Sequence, residues 1–282
     1  MAKRYQIVTS GPPRLIWERT GFPVVPSAEP DLGLTYHLSS RIERYSLDNR
    51  PENNADFDRA VSTIADTVGR PTRSIGGEVG AVPIEISIEN LPDFARARKS
   101  GRTYSGEIVS QTALTRMLSF GLASRERSEG QQPVRAVASA GGLGCIDTYL
   151  IAVRCEGVPR GVYFVDAESN RLCLCGDAEG LDDKLHALQF TIEAAQVRKA
   201  GGILALVFVS ERLLWKYGAR SYRFGCLEAG HMMHAFSLGA SSAHMEFCPV
   251  GGFCDANLDH LLGVDGVNEV ALYMAVFGGR SS

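Results

Sequence analysis

Three stretches of this chain carry side chains whose types and spacing could do chemistry. The first, Arg96-Ala97-Arg98-Lys99-Ser100-Gly101-Arg102-Thr103-Tyr104, packs four cations into seven residues and ends in turn formers. If extended, it places Arg98, Ser100 and Arg102 on one face, because strand side chains alternate with period two. Two guanidinium forks and a hydroxyl make a phosphate clamp, since arginine binds phosphate oxygens bidentately; a solvated basic turn is the other reading. The second stretch is Ser139-Ala140-Gly141-Gly142-Leu143-Gly144. Its glycines open positive φ and let backbone N–H groups approach a flat ligand, although a plain hairpin entry has the same composition. The third runs from Leu214 through Trp215-Lys216-Tyr217-Gly218-Ala219-Arg220-Ser221-Tyr222-Arg223 to Leu227-Glu228-Ala229-Gly230-His231. A lysine becomes a base once desolvation lowers its pKa, so a catalytic reading requires Lys216 to be largely buried. The alternative is a snorkelling start to an amphipathic helix.

Glu228, His231 and His234 fall three apart on one helical face, a spacing also used in di-iron bundles, but the second copy such a site needs is missing. Capping, core hydrogen bonding or contact with a cofactor edge suits them better, and no metal is expected. Neither G-x-S-x-G nor a P-loop occurs, and the glycine stretch precedes a strand pattern rather than a helix, which disfavours a dinucleotide-binding fold.

The elements that must position these residues begin after about residue 85. Residues 1–85 are rich in Pro, Gly, Asn and Arg and read as an irregular leader region, with short helical candidates such as 56–68, and are a candidate region for peptide or partner docking. From 86 to 282 the pattern is a folded domain. Helices are expected at 111–123, 181–199, 222–243 and 256–262, with a polar connector at 124–133. Strands are expected at 147–155, 161–165, 171–175, 203–209, 244–250 and 269–277. The class is α+β, with a mixed sheet.

Composition agrees with a soluble globular chain: of 282 residues, 45% are apolar and 22% charged. Lys and Arg total 29 against 32 Asp and Glu, a net charge of -3 that gives no general field for nucleic acid or an anionic membrane. The most apolar run, 202–209, is too short to span a bilayer, and no signal-length run opens the chain. Seven irregularly spaced cysteines support neither a disulfide framework nor a zinc knuckle, so a reducing cytoplasm is the expected compartment.

Taken in order, R-K-S-G-R-T-Y, S-A-G-G-L, L-L-W-K-Y-G-A-R-S-Y-R-F-x-x-L-E-A-G-H, G-G-F-C-D and L-L-G-V-D-G resemble the SagB-type azoline dehydrogenases of the flavin-dependent nitroreductase superfamily. The resemblance covers about residues 94–279; residues 1–90 match only loosely, through Tyr36-His37-Leu38-Ser39-Ser40. It implies FMN, a mainly antiparallel sheet flanked by helices, and an intertwined homodimer with the flavin at the subunit interface. It further implies that Arg98, Ser100 and Arg102 contact the phosphate and ribityl chain, and that Ser139, Ala140, Gly141 and Gly142 form the loop under the isoalloxazine. Gly251 and Gly252 would make the turn near the reactive flavin nitrogen. Lys216 and Tyr217 would be the catalytic pair, oxidising thiazoline or oxazoline rings of a ribosomally made precursor peptide that a cyclodehydratase partner has cyclised.

The sequence departs from the family pattern in places. Gly144 and Cys145 stand where tyrosine and proline are usual, which should widen that wall; Ser221 replaces a glycine, and His234-Ala235 replace a Gln-Asn pair. An NAD(P)H-dependent nitro or quinone reductase, and a flavin-free scaffold subunit of a peptide-modifying complex, are the two rival readings.

Overall fold

A computed structural model describes residues 36–37, 39–41, 86–125, 134–188, 192 and 194–281. The expected helix at 56–68 and most of the connector at 124–133 lie outside the described residues.

The molecule is organised by one strand. Residues Gly202–Val209 (GILALVFV) form β6, buried along its whole length. With no polar alternation, it can sit only where both sheet faces are covered. The sheet has order β5-β4-β3-β6-β8-β7, built from β3 (Ile146–Ala152), β4 (Gly161–Asp166), β5 (Arg171–Gly176), β7 (Met245–Val250) and β8 (Glu269–Gly279). All its ladders are antiparallel; a single parallel bridge, Val109 to Cys155, lies outside them. A two-stranded hairpin, β1 (Ser124–Arg125) with β2 (Val134–Arg135), stands apart.

Alternate residues of β6 serve the two helical layers. Leu204, Leu206 and Phe208 join a core with Leu114 and Met117 of α2 (Gln111–Leu122) and with Met233 and Phe236 of α6 (Ser221–Ser242). Ile203, Ala205 and Val207 join Leu181 and Leu185 of α3 (Leu181–Ala187) and Leu258 and Leu262 of α7 (Asp255–Leu262). Ser110 caps α2 by accepting the Ala113 N–H, which explains why the apolar spacing becomes helical there. Two short helices complete the chain between these, α4 (Ala194–Val197) and α5 (Glu211–Tyr217), and α1 (Asp93–Arg96) precedes α2.

The continuous helix expected over 181–199 is not formed. Leu188 closes α3 and donates its N–H back to Leu185, while its carbonyl accepts the Cys254 N–H. The end of α3 is thus tied to the residue that precedes α7. Among the described residues no helix is long and apolar enough to cross a membrane.

Candidate active site

The glycine stretch leads into β3 and is fastened on three sides. Ser139 Oγ accepts the Gly144 N–H at 2.7 Å, and Val209 at the end of β6 donates to the Cys145 carbonyl at 2.9 Å. From α6 the Glu228 carboxylate reaches across, accepting the Ala140 N–H at 3.2 Å and the Cys145 N–H at 3.0 Å. Gly141 then turns through φ 60°, ψ 17° at the exposed tip. That left-handed conformation suits a residue without Cβ.

The lysine and tyrosine arrive at that tip from the other direction. Directly after β6 the chain winds into α5, where Arg212 grips Asp147 of β3 through two bonds of 2.6 and 2.9 Å and also donates to the Gly144 carbonyl. This sets the last turn of α5 over the loop. A Cβ placed on Gly141 would lie 2.7 Å from Tyr217 Oη and 2.9 Å from Lys216 Nζ, so both groups rest on the bare glycine. The Lys216 ammonium stands 5.3 Å from the Tyr217 ring centre, and that ring meets Phe224 edge-on at 4.7 Å. The loop and the Lys-Tyr pair therefore form one cluster. Lys216 is exposed in this single chain, contrary to the burial expected of a base: α5 is only two turns long and its last turn overhangs the loop at the protein surface.

The segment that carries Arg98, Ser100 and Arg102 lies at the opposite end of the sheet. Gly101 is pinned by its N–H to the Phe247 carbonyl, while Tyr104 Oη donates to the carbonyls of Gly101 and Val276. The buried Glu246 carboxylate lies directly beneath, paired with Arg280 at 2.8 Å and Lys99 at 3.4 Å. A Cβ on Gly101 would sit 1.5 Å from Glu246 Oε2, so no larger residue fits without moving that carboxylate. Neither Arg98 nor Arg102 is in an ion pair among the described residues, and Arg102 meets the Cys248 side chain, so neither guanidinium is neutralised by a carboxylate there. That fits a flavin phosphate, as the exposed glycine tip fits a flat ring.

The distance between this segment and the glycine loop follows from the register. Phe247 pairs through Phe277 with Gly202, whereas Cys145 lies level with Val209, seven residues along β6, or roughly 23 Å. Helix α6 gives a second ruler: its Glu228 holds the glycine loop and its Ser241 hydroxyl bonds the Phe94 carbonyl, thirteen residues or roughly 20 Å further on. An extended flavin mononucleotide is shorter than this. Gly251 and Gly252 lie just past β7, at intermediate height, with open space where a Gly251 side chain would project.

Several roles were not visible in the sequence. Glu228 works on backbone rather than on a metal, and among the described residues no three His, Cys, Asp or Glu side chains gather as a metal site. His231 and His234 are exposed. The wall expected to widen at Gly144 is instead filled: the Arg135 guanidinium lies where a Cβ would be, within 2.6 to 2.7 Å. Burial, followed by the Glu228 charge, raises the Cys145 thiol well above its usual range. His37, whose Nδ1 is 3.1 Å from Tyr222 Oη, and Arg41, paired with Asp259 at 2.7 Å, dock a piece of the N-terminal region beside the start of α6 and onto α7.

Comparison with known proteins agrees with this architecture. The Nitroreductase family model matches residues 95–279. Among solved structures, a chain of the E. coli microcin synthetase McbBCD complex with truncated pro-MccB17 bound is 18% identical, at a TM-score of 0.68, over 90% of this chain and 95% of that one. A protein of Anabaena variabilis assigned as a nitroreductase is 22% identical at a TM-score of 0.56; the match spans 67% of this chain but only 37% of that one. One from Ralstonia eutropha is 19% identical at 0.52, over 72% and 88%. Among curated proteins none matches.

Proposed function

Because this chain belongs to the nitroreductase family, whose members are flavin-dependent oxidoreductases, we propose that it is an FMN-dependent dehydrogenase of the SagB type. Its reaction is the oxidation of thiazoline or oxazoline rings in a ribosomally made peptide to thiazoles or oxazoles. The observation that carries the reading is the seating of Lys216 Nζ and Tyr217 Oη together on Gly141, at the tip of a glycine loop open to a flat ligand.

FMN, when bound, supplies the two-electron acceptor for the hydride released from the ring. The chain supplies the rest. Lys216 Nζ takes the ring α-proton, which requires the amine to be neutral and shielded from water when substrate is present. Tyr217 Oη, beside it, orients the ring or relays that proton. Arg98, Ser100 and Arg102 hold the phosphate, and Ser139 to Gly142 with Gly251 and Gly252 line the ring.

The separation of roughly 23 Å between the arginine segment and the glycine loop supports a homodimer in which each flavin takes its phosphate contacts from one chain and its ring platform from the other. A second chain closing over the loop would also provide the shielding that Lys216 lacks alone. The likeness to a chain from a microcin synthetase complex supports a precursor-peptide substrate and a cyclodehydratase partner. The compartment we infer is the cytoplasm.

Complementation tests this arrangement. Chains carrying Arg98→Ala and Arg102→Ala should be inactive alone on an azoline peptide, as should chains carrying Lys216→Ala. Mixed dimers should regain one intact site and aromatise the peptide, as read by mass. No recovery in verified mixed dimers would refute the shared site, and turnover of NAD(P)H with a nitroaromatic but not of the peptide would favour the plain reductase.

A further inference from the structure

We propose that Glu228 is the positioning residue that holds residues 140–145 in the shape that receives the flavin. The inference rests on the flavin reading above for its ligand, and on the loop's own hydrogen bonds for its mechanism. Glu228 is only 4% exposed, and each of its oxygens accepts a backbone N–H, Oε2 that of Ala140 and Oε1 that of Cys145, whose thiol the carboxylate also meets. These are the two ends of the loop, so one carboxylate closes it like a clasp.

Inside the clasp the loop uses its other donors on itself. Gly142 donates to the Ser139 carbonyl, Leu143 to the Ala140 carbonyl and Gly144 to Ser139 Oγ. Among the described residues the one N–H of the loop left without a bond is that of Gly141, at the exposed tip beside Lys216 and Tyr217. A buried carboxylate accepting two N–H groups makes strong, charge-assisted bonds and costs the loop no rearrangement when a ligand arrives. Glu228 bonds to the loop backbone rather than to Lys216 or Tyr217, and acts on that pair through the loop on which it rests.

The side-chain chemistry makes the clasp testable. Glutamine has the same shape but one acceptor oxygen, and its amide turns an N–H toward one of the two N–H groups it must bind. Aspartate keeps the charge but is one methylene shorter, so it reaches one end of the loop at most.

The test is amide hydrogen exchange across the full chain without flavin, together with an absorbance titration with FMN. In Glu228→Gln, exchange over 139–145 should be at least tenfold faster than wild type while β6 keeps wild-type protection, and the FMN dissociation constant should rise at least tenfold. Glu228→Asp should fall between, and it carries the test if the glutamine variant does not fold. Unchanged exchange over 139–145 in a folded variant overturns the inference, as does faster exchange with unchanged FMN affinity. If the wild-type chain takes up no FMN, the flavin reading fails and the exchange result decides the clasp alone.

Discussion

Replacing Gly141 with alanine separates two effects that the structure allows to be estimated independently. At φ 60° an alanine is strained by about 1–2 kcal/mol, and the loss of unfolded-state freedom returns about 0.4–1 kcal/mol. The net cost is about 1 kcal/mol, a fall of roughly 2–4 °C in Tm for a domain of this size. The second effect is local. The new Cβ would stand 2.7 Å from Tyr217 Oη and 2.9 Å from Lys216 Nζ, so each must retreat by about 0.5–0.7 Å to reach ordinary contact. Misplacing reacting groups by about 1 Å can cost about 10²-fold in rate, so Gly141→Ala should lose about 10- to 100-fold in turnover. Gly157 supplies the control: its φ is 71°, with nothing within 4 Å of where a Cβ would stand, so Gly157→Ala carries the strain without the displacement. Thermal denaturation and azoline-peptide turnover should show similar Tm losses in both variants but slowed turnover only in Gly141→Ala. Equal turnover in the two variants would refute the reasoning that Gly141 seats the Lys-Tyr pair.

Two other perturbations test the opposite end of the sheet and the N-terminal contact. Gly101→Ala forces the Glu246 carboxylate away from Arg280 and Lys99 and should cost about 1–3 kcal/mol in chemical denaturation, with weaker FMN uptake; wild-type stability would count against the packing described. Burial of His37, followed by the charge of Arg41, lowers its pKa below the ordinary 6.5, partly opposed by Asp255. The docked state then binds fewer protons than the undocked one, so docking is strongest above about pH 6.5 and weakens as pH falls below it. Proteolytic protection around residues 36–41 should drop between pH 7.5 and pH 5.5, and equal protection at both would contradict the contact's titration.

The sequence made the core legible because β6 is apolar at every position and α2 at helical spacing, patterns that packing enforces directly. The break in the helix expected over 181–199 was not legible, because local spacing carries no mark of the long-range bond at its end, from the Cys254 N–H to the Leu188 carbonyl. The Lys-Tyr pair and the glycine loop were each visible as dense motifs, but nothing in their spacing shows that Gly141 seats both side chains. Glu228 was visible only as a helical neighbour of two histidines; its partners, Ala140 and Cys145, lie more than eighty residues away. Arg135 gave no signal, since its place over Gly144 is a contact between residues that are not neighbours in the sequence.

The proposed chemistry is tested most directly by a single anaerobic turnover of the FMN-loaded protein with an azoline-bearing peptide. Flavin absorbance should bleach as one azole forms per flavin, and Lys216→Ala, with its flavin bound, should bleach at least about 10²-fold more slowly, the usual contribution of a general base. Bleaching of Lys216→Ala at the wild-type rate, or a flavin that NAD(P)H reduces and the peptide does not, would contradict it.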